Sequence, residues 1–171
     1  MRTTLAFLIV TLAAALVPGS SLELQRGGAL WRIVTCHFTH FTYEQLAWDA
    51  FAFLLLGTLC ARRNLAAFQA TLLASIVIVP LAVLAFAPSI TAYRGLSGID
   101  CALFALLVAT SRDRVAIACA LLFAAKTMFE IATGSAVFAG SDAFVAVPVA
   151  HIAGACVGQA LSLSSRLRRT S

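Results

Sequence analysis

Charge is what this sequence has least of. Of 171 residues, 12 are Lys or Arg and 7 are Asp or Glu, a charged fraction of 11% where soluble domains run near ~25%. The hydrophobic fraction is 61% and the mean hydropathy +0.97. A soluble fold is excluded, because so small a globule cannot hide that much apolar surface. The low charge excludes a disordered chain, and four prolines with ten glycines exclude a collagen-like one. Cysteine is sparse too: Cys36, Cys60, Cys101, Cys119 and Cys156 form no CxxC pair, and four of them lie in apolar runs. They read as small buried apolar residues rather than a disulfide scaffold. Alternating segments of ~10 residues, the mark of a membrane β-barrel, are missing. So are internal repeats and low-complexity tracts. The net charge of +5 does not imply nucleic acid, because the basic residues fall in short loops, where they set topology. An all-α polytopic membrane protein is left, with one domain over residues 1–171.

Six apolar segments can be drawn: Thr4–Val17, Gln45–Ala61, Ala66–Phe86, Ser97–Thr110, Val115–Ile131 and Asp142–Leu163. Pro18-Gly19-Ser20 ends the first and Arg62-Arg63-Asn64 the second. Pro88 closes the third, Arg112-Asp113-Arg114 follows the fourth, and Gly134 to Ser141 is a small polar turn region. Six spans place both termini on one side. Arg2, Arg62, Arg63, Arg112, Arg114, Arg166, Arg168 and Arg169 then lie inside, against Arg26, Arg32 and Arg94 outside and Lys126 within a span. That bias gives an N-in, C-in orientation. The first segment also resembles a signal peptide, with Arg2, an apolar core and Ala13-x-Ala15. A retained helix is preferred, because cleavage would remove a packing partner from a small bundle. Residues 20–44 mix Leu22, Leu24, Leu30, Trp31, Ile33, Val34 and Phe38 with Arg26, Arg32 and histidines. The stretch is expected to lie in the outer interface, with Trp31 at headgroup level.

Polar residues inside spans are expensive and need a reason. Ser97 opens the fourth segment inside Gly95-Leu96-Ser97-Gly98, where flanking glycines let backbone approach and leave the hydroxyl unscreened. A serine there also suits a helix N-cap. The sequence is not the hydrolase elbow GxSxG, since Ile99 stands at the last position. The segment's 14 residues make about 21 Å of helix against a ~30 Å hydrocarbon core, which recesses Ser97 roughly 9 Å below the outer interface. A serine at that depth must be reached through a water-filled cavity. His151, in a segment starting near Asp142, falls about 13 Å down, at a similar level. Gly154 and Gly158 form GxxxG on the face of His151, and Gly98, Ala102, Ala105 and Ala109 form a small stripe on the fourth segment. Two smooth faces let these helices approach, so that Ser97 and His151 meet. Such a pair suffices for acyl transfer: the imidazole takes the hydroxyl proton and returns it to the leaving amine.

An oxyanion also needs donors. His40, Gln45 and Asp49 cluster at the outer mouth of the second segment, and Gln45 and Asp49 share a face at i,i+4. Gln45 carries an amide donor. Asp49 has two options: protonated, it donates to the oxyanion; ionised, it turns away to orient His40 or another helix. The first is slightly preferred. Cys36, His37 and His40 carry no specific metal signature, and no HExxH is present. Neither metal nor cofactor is expected. Lys126 and Glu130, at i,i+4 in the fifth segment, read as a mutually neutralising pair. Asp100 and Asp142 stand near helix N-termini, where negative charge is favoured.

Three blocks together resemble the rhomboid family of intramembrane serine proteases. Leu30-Trp31-Arg32, then His40 through Gln45 to Asp49, then Gly57, is similar to that family's WR, H-x4-H-x3-N and later glycine. Gly95-Leu96-Ser97-Gly98 is its GxSG. Ala150-His151-Ile152-Ala153-Gly154 with Gly158 is similar to its AHxxG-x3-G. The match in order and spacing covers about the last four-fifths of the chain. The resemblance implies a six-helix bundle, Ser97 as nucleophile and His151 as general base. It implies oxyanion support from the Ser97 backbone, Gln45 and Asp49, with His40, Gly95, Gly98, Gly154 and Gly158 supporting. Gln45 stands in place of the family histidine and Asp49 in place of the family asparagine. The small size and the Trp48-Asp49 pair look like the rhombosortase branch of bacterial rhomboids. That branch is associated with exported substrates carrying a Gly-Gly motif, a membrane helix and basic residues at the C-terminus. The implied partners are a membrane-anchored protein and the lipid bilayer, in the bacterial inner membrane; no oligomeric state is implied. The competing class is a catalytically inactive rhomboid-like protein that binds transmembrane helices. Loss of Ser or His would mark it, and both are present. A transporter ranks third, since it would want more helices and a longer polar path.

Overall fold

The computed structural model describes residues 2–111, 113–134 and 147–170. In chain order the elements are α1 (Arg2–Ala14), α2 (Gly19–Leu22), β1 (Leu24–Gln25), α3 (Arg32–Thr35), a 3-10 turn (Cys36–Phe38), α4 (Tyr43–Arg63), α5 (Leu65–Phe86), β2 (Ala92–Tyr93), α6 (Ser97–Thr110), α7 (Arg114–Thr133) and α8 (Pro148–Thr170). Among the described residues, α4, α5 and α7 are long and apolar enough to cross a membrane, and α1 and α6 are shorter apolar helices. Asp142, Arg112 and the expected turn region over 135–141 lie outside the described residues.

The helix ends follow from local chemistry. Thr42 Oγ1 accepts the Gln45 N–H at 3.0 Å, and Glu44 in the first turn with Arg62 and Arg63 in the last complement the dipole of α4. Asn64 ends α4 and caps α5 at once, its Oδ1 accepting the Ala67 N–H at 3.0 Å, so the two helices form a tight hairpin. Asp113 caps α7 through the Ala116 N–H at 2.7 Å, and Gly134 closes that helix in the left-handed conformation. At the far end of α5, the Arg26 guanidinium donates to the Leu84 and Ala87 carbonyls at 2.8 and 3.0 Å, which satisfies C-terminal acceptors.

The short helix α6 sits in the middle of the molecule. Its Gly98, Ile99, Cys101, Ala102, Leu103, Ala105 and Leu106 are all buried, so it has almost no free face. It packs most extensively against α8, and also against α4, α5 and α7. Phe53, Phe68, Leu96, Ile99 and Leu103 form the tightest part of the core between α4, α5 and α6. On α5 and α7 the outward residues are large and apolar, including Leu73, Leu81, Leu121, Leu122 and Phe129. In water such a surface would aggregate; in a bilayer it faces lipid. Helix α1 packs on α4, with the Phe7 and Phe53 rings stacked at 4.8 Å and Gly57 leaving room for Thr4.

Residues 20–44 are folded rather than loose. The strand β1 pairs antiparallel with β2, Leu24 opposite Tyr93. Trp31 is half exposed, with the Arg32 guanidinium over its ring at 5.3 Å. This two-strand clasp ties the segment before α4 to the segment before α6, and so sets where Ser97 begins.

Candidate active site

The approach to Ser97 is built by backbone. Gly95 has φ +118°, in the region that favours glycine, and a Cβ there would lie 2.7 Å from Gln45 Nε2 and 3.0 Å from Asp49 Oδ2. The Gly95 N–H donates to the Cys36 carbonyl at 3.0 Å. The Leu96 N–H donates to Asp49 Oδ2 at 3.0 Å. The same carboxylate oxygen accepts from His40 Nε2 at 3.1 Å. Asp49 therefore stands in the acceptor arrangement, turned toward His40 and the Leu96 backbone. Both contacts fall on Oδ2; a carboxylate oxygen and the carbonyl oxygen of a protonated acid accept alike, and in a protonated Asp49 the proton would stand on Oδ1. Gln45 is likewise engaged, its Oε1 accepting the Phe41 N–H at 2.9 Å and its Nε2 donating to the Arg94 carbonyl at a long 3.4 Å.

His37 lies beneath this loop, fully buried. Pro80 within α5 has no N–H, so the Ile76 carbonyl loses its helical donor; His37 Nε2 donates to it at 3.0 Å. His37 Nδ1 faces the Gly95 carbonyl at 3.4 Å. Two carbonyls cannot both be served by a neutral ring with one N–H. Burial pushes the His37 pKa down to about 4, so the ring is neutral at pH 7, and the shorter contact is the hydrogen bond. Cys36, His37 and His40 do not converge: His37 serves α5 and His40 serves Asp49.

Ser97 is the first residue of α6; the N-cap position belongs to Leu96, with no side-chain cap. The hydroxyl is thus not used as a cap. It lies 3.2 Å from His151 Nε2. The approach of α8 makes this possible. A Cβ on Gly154 would collide with the Gly98 carbonyl oxygen, and one on Gly158 with the Ala102 carbonyl oxygen. Gly98 is also tight, since a Cβ would lie 2.6 Å from Val79 Cγ1 and 3.2 Å from the Ala150 carbonyl.

One partner was not legible from sequence. Glu130 Oε2 lies 2.8 Å from His151 Nδ1, while Glu130 Oε1 pairs with Lys126 Nζ at 2.8 Å. The signal available was a lone carboxylate inside an apolar span; its i,i+4 lysine made it look self-neutralised. Asp100 is another surprise. It stands in the first turn of α6, where the helix dipole suits it, yet it is 7% exposed and neither carboxylate oxygen has a partner among the described residues. A largely apolar cavity of about 450 Å³ between α4, α6 and α7 is lined by Trp48, Asp49, Ser97, Asp100, Lys126 and His151, among others. It gives the serine hydroxyl an approach from the α4–α7 side.

A serine hydroxyl thus faces an imidazole below a glycine loop and beside an apolar cavity, among helices whose outer faces are apolar. The Rhomboid domain matches this chain over residues 27–167. The chain belongs to the rhomboid family, whose members are generally intramembrane serine proteases acting on membrane proteins. No match is found among curated proteins.

Proposed function

We propose that this chain is an intramembrane serine endopeptidase in which Ser97 is the nucleophile and His151 the general base. The observation that carries the reading is the 3.2 Å approach of Ser97 Oγ to His151 Nε2, by a hydroxyl that caps nothing. In the first half-reaction His151 takes the Ser97 proton as Oγ bonds to the scissile carbonyl carbon. The C–N bond then breaks and the imidazolium returns the proton to the leaving amine. In the second, His151 takes a proton from water as the hydroxide adds to the acyl carbon; the ester bond breaks and Ser97 regains its proton. The Ser97 N–H is one of the first four that a helix leaves without an internal acceptor, which makes it an oxyanion donor. Gln45 Nε2, held only by a long bond, is the second. Asp49 supports the oxyanion site indirectly, by anchoring the Leu96 N–H.

The substrate is a membrane-anchored protein cut near the outer face, reached through the cavity between α4 and α7. The six apolar segments cross the bacterial inner membrane with both termini inside. The Trp48-Asp49 pair supports the rhombosortase branch, and with it an exported substrate bearing a Gly-Gly C-terminal tail. The test is co-expression with a genome-encoded Gly-Gly-tailed protein. The tail should be lost with the wild-type chain and kept with Ser97→Ala; tail removal by Ser97→Ala would refute the assignment. A fluorophosphonate should label the wild type and not Ser97→Ala.

A further inference from the structure

His151 is engaged on both ring nitrogens, and the two contacts are not equivalent. Nε2 faces the Ser97 hydroxyl at 3.2 Å. Nδ1 faces Glu130 Oε2 at 2.8 Å and Lys126 Nζ at 3.5 Å. A neutral imidazole has one N–H, and a carboxylate in an ion pair can only accept. If Nδ1 accepted from Lys126, the bare nitrogen would face a carboxylate oxygen at 2.8 Å, lone pair against lone pair. The N–H would then point at Ser97, leaving nothing to take the hydroxyl proton. The shorter contact decides: Nδ1 carries the hydrogen and donates to Glu130, and Nε2 presents its lone pair to Ser97.

We infer that Glu130 is a positioning residue for His151, which turns the Ser97–His151 pair into a Ser–His–Glu relay with its third member supplied by α7. The inference rests on the protease reading of Ser97 and His151. Glu130 is 2% exposed, so its carboxylate is held rigidly and unscreened by water. It fixes the tautomer and ring angle, and it stabilises the imidazolium that forms as Ser97 loses its proton. Lys126 binds the other oxygen at 2.8 Å and keeps Glu130 in place. Its own charge opposes that of Glu130 at the ring, so orientation and tautomer carry more of the effect than net charge does. Among the described residues, the other titratable groups lining the cavity beside Ser97 are Asp49, paired with His40, on α4, Asp100 and Cys101 on α6 and Cys119 on α7; they are unchanged in the variants below.

The test uses the purified chain in detergent and a fluorophosphonate. Labelling forms the Ser97 Oγ–P bond, breaks P–F, releases fluoride and passes the hydroxyl proton to His151. It needs no knowledge of the substrate. Glu130→Gln, near-isosteric, should label more slowly by about 10²–10⁴-fold, the scale on which an orienting carboxylate matters in a serine triad. The acid limb of its pH–rate profile should move to lower pH, because the negative charge that favours the imidazolium is gone. A folded Glu130→Gln with wild-type labelling and an unmoved acid limb overturns the inference. The double variant Lys126→Met with Glu130→Gln separates a mere counter-ion role: labelling should stay slow, and recovery to the wild-type rate overturns it. A third measurement needs no variant. The ¹⁵N spectrum of wild-type His151 at neutral pH should show Nδ1 protonated and Nε2 bare; the opposite tautomer refutes the relay. If Ser97→Ala labels like the wild type, the protease reading fails instead, and the ¹⁵N result still decides the Glu130 contact.

Discussion

Gly154 lies directly against the carbonyl oxygen of Gly98, with no space for a side chain on either residue. This contact sets the distance between α6 and α8, and therefore between Ser97 and His151. Adding even one methyl at 154 forces backbone apart rather than a flexible side chain. Gly154→Ala should destabilise the protein by about 1–3 kcal/mol, the usual cost of overpacking. Its catalytic cost should be larger, because an ångström of misplacement can lower a rate by about 10²-fold. Thermal unfolding alongside fluorophosphonate labelling checks both; a folded variant labelling at the wild-type rate contradicts the packing argument. Gly158→Leu should behave similarly through the Ala102 carbonyl.

Asp49 makes a separable prediction. Its Oδ2 accepts from the Leu96 N–H and from His40, so a single neutral oxygen in the same place can serve both. Asp49→Asn keeps that oxygen and should remain folded and active, at a cost of about 1 kcal/mol for losing charge-assisted bonds. Asp49→Leu leaves the buried Leu96 N–H without an acceptor and should lose about 2–4 kcal/mol and nearly all labelling. Equal activity of Asp49→Leu and Asp49→Asn would show that the anchor does not matter.

Much of this site could be read before the fold was known, for reasons specific to each residue. Helix pitch turns the spacing of Gly154, Gly158 and His151 into one face, so the contact of α8 with α6 was calculable. Glu130 was hidden because its orientation depends on the rotation of α7 about its own axis, which the nearly uniform apolarity of that helix does not encode. For Asp49 the sequence offered His40 as a partner, but not the Leu96 N–H, because backbone donors carry no sequence signal. The clasp of β1 with β2 is two residues long on each side, too short for any alternation to announce it.

Arg94 and Glu23 join the two strands of that clasp at one end. Arg94 Nη2 and Nε reach Glu23 Oε2 at 2.5 and 2.6 Å, and Gln25 donates to Glu23 Oε1 at 2.6 Å. The Arg94 guanidinium also lies 4.6 Å from the Phe41 ring centroid. Removing the arginine strands a buried carboxylate, which costs about 3–5 kcal/mol when both partners are fully buried. Arg94 is partly exposed, so about 2–3 kcal/mol is expected for Arg94→Met after solvent screening. Glu23→Gln, which strands no buried carboxylate, should lose less. The comparison of their unfolding midpoints reads this directly; a larger loss in Glu23→Gln would reverse the assignment of the costly partner.

His37 sets a pH dependence whose sign can be worked out. Its folded pKa is about 4 against 6.5 as the ordinary value, lowered by burial. A depressed histidine means that the unfolded chain takes up a proton the folded one refuses. Stability is therefore complete above pH 6.5, falls as the pH drops from 6.5 toward 4, and levels off below that. The span corresponds to about 3 kcal/mol from this one ring. His37→Gln keeps an N–H for the Ile76 carbonyl and cannot titrate. It should be less stable than the wild type at pH 7, where the native ring fits better, and should close that gap by pH 4. Other acid-sensitive groups act on both proteins alike, so the difference between their unfolding midpoints at pH 7, 5.5 and 4.5 isolates His37. A difference that stays constant across that range would show that the buried ring is not what couples this fold to acid.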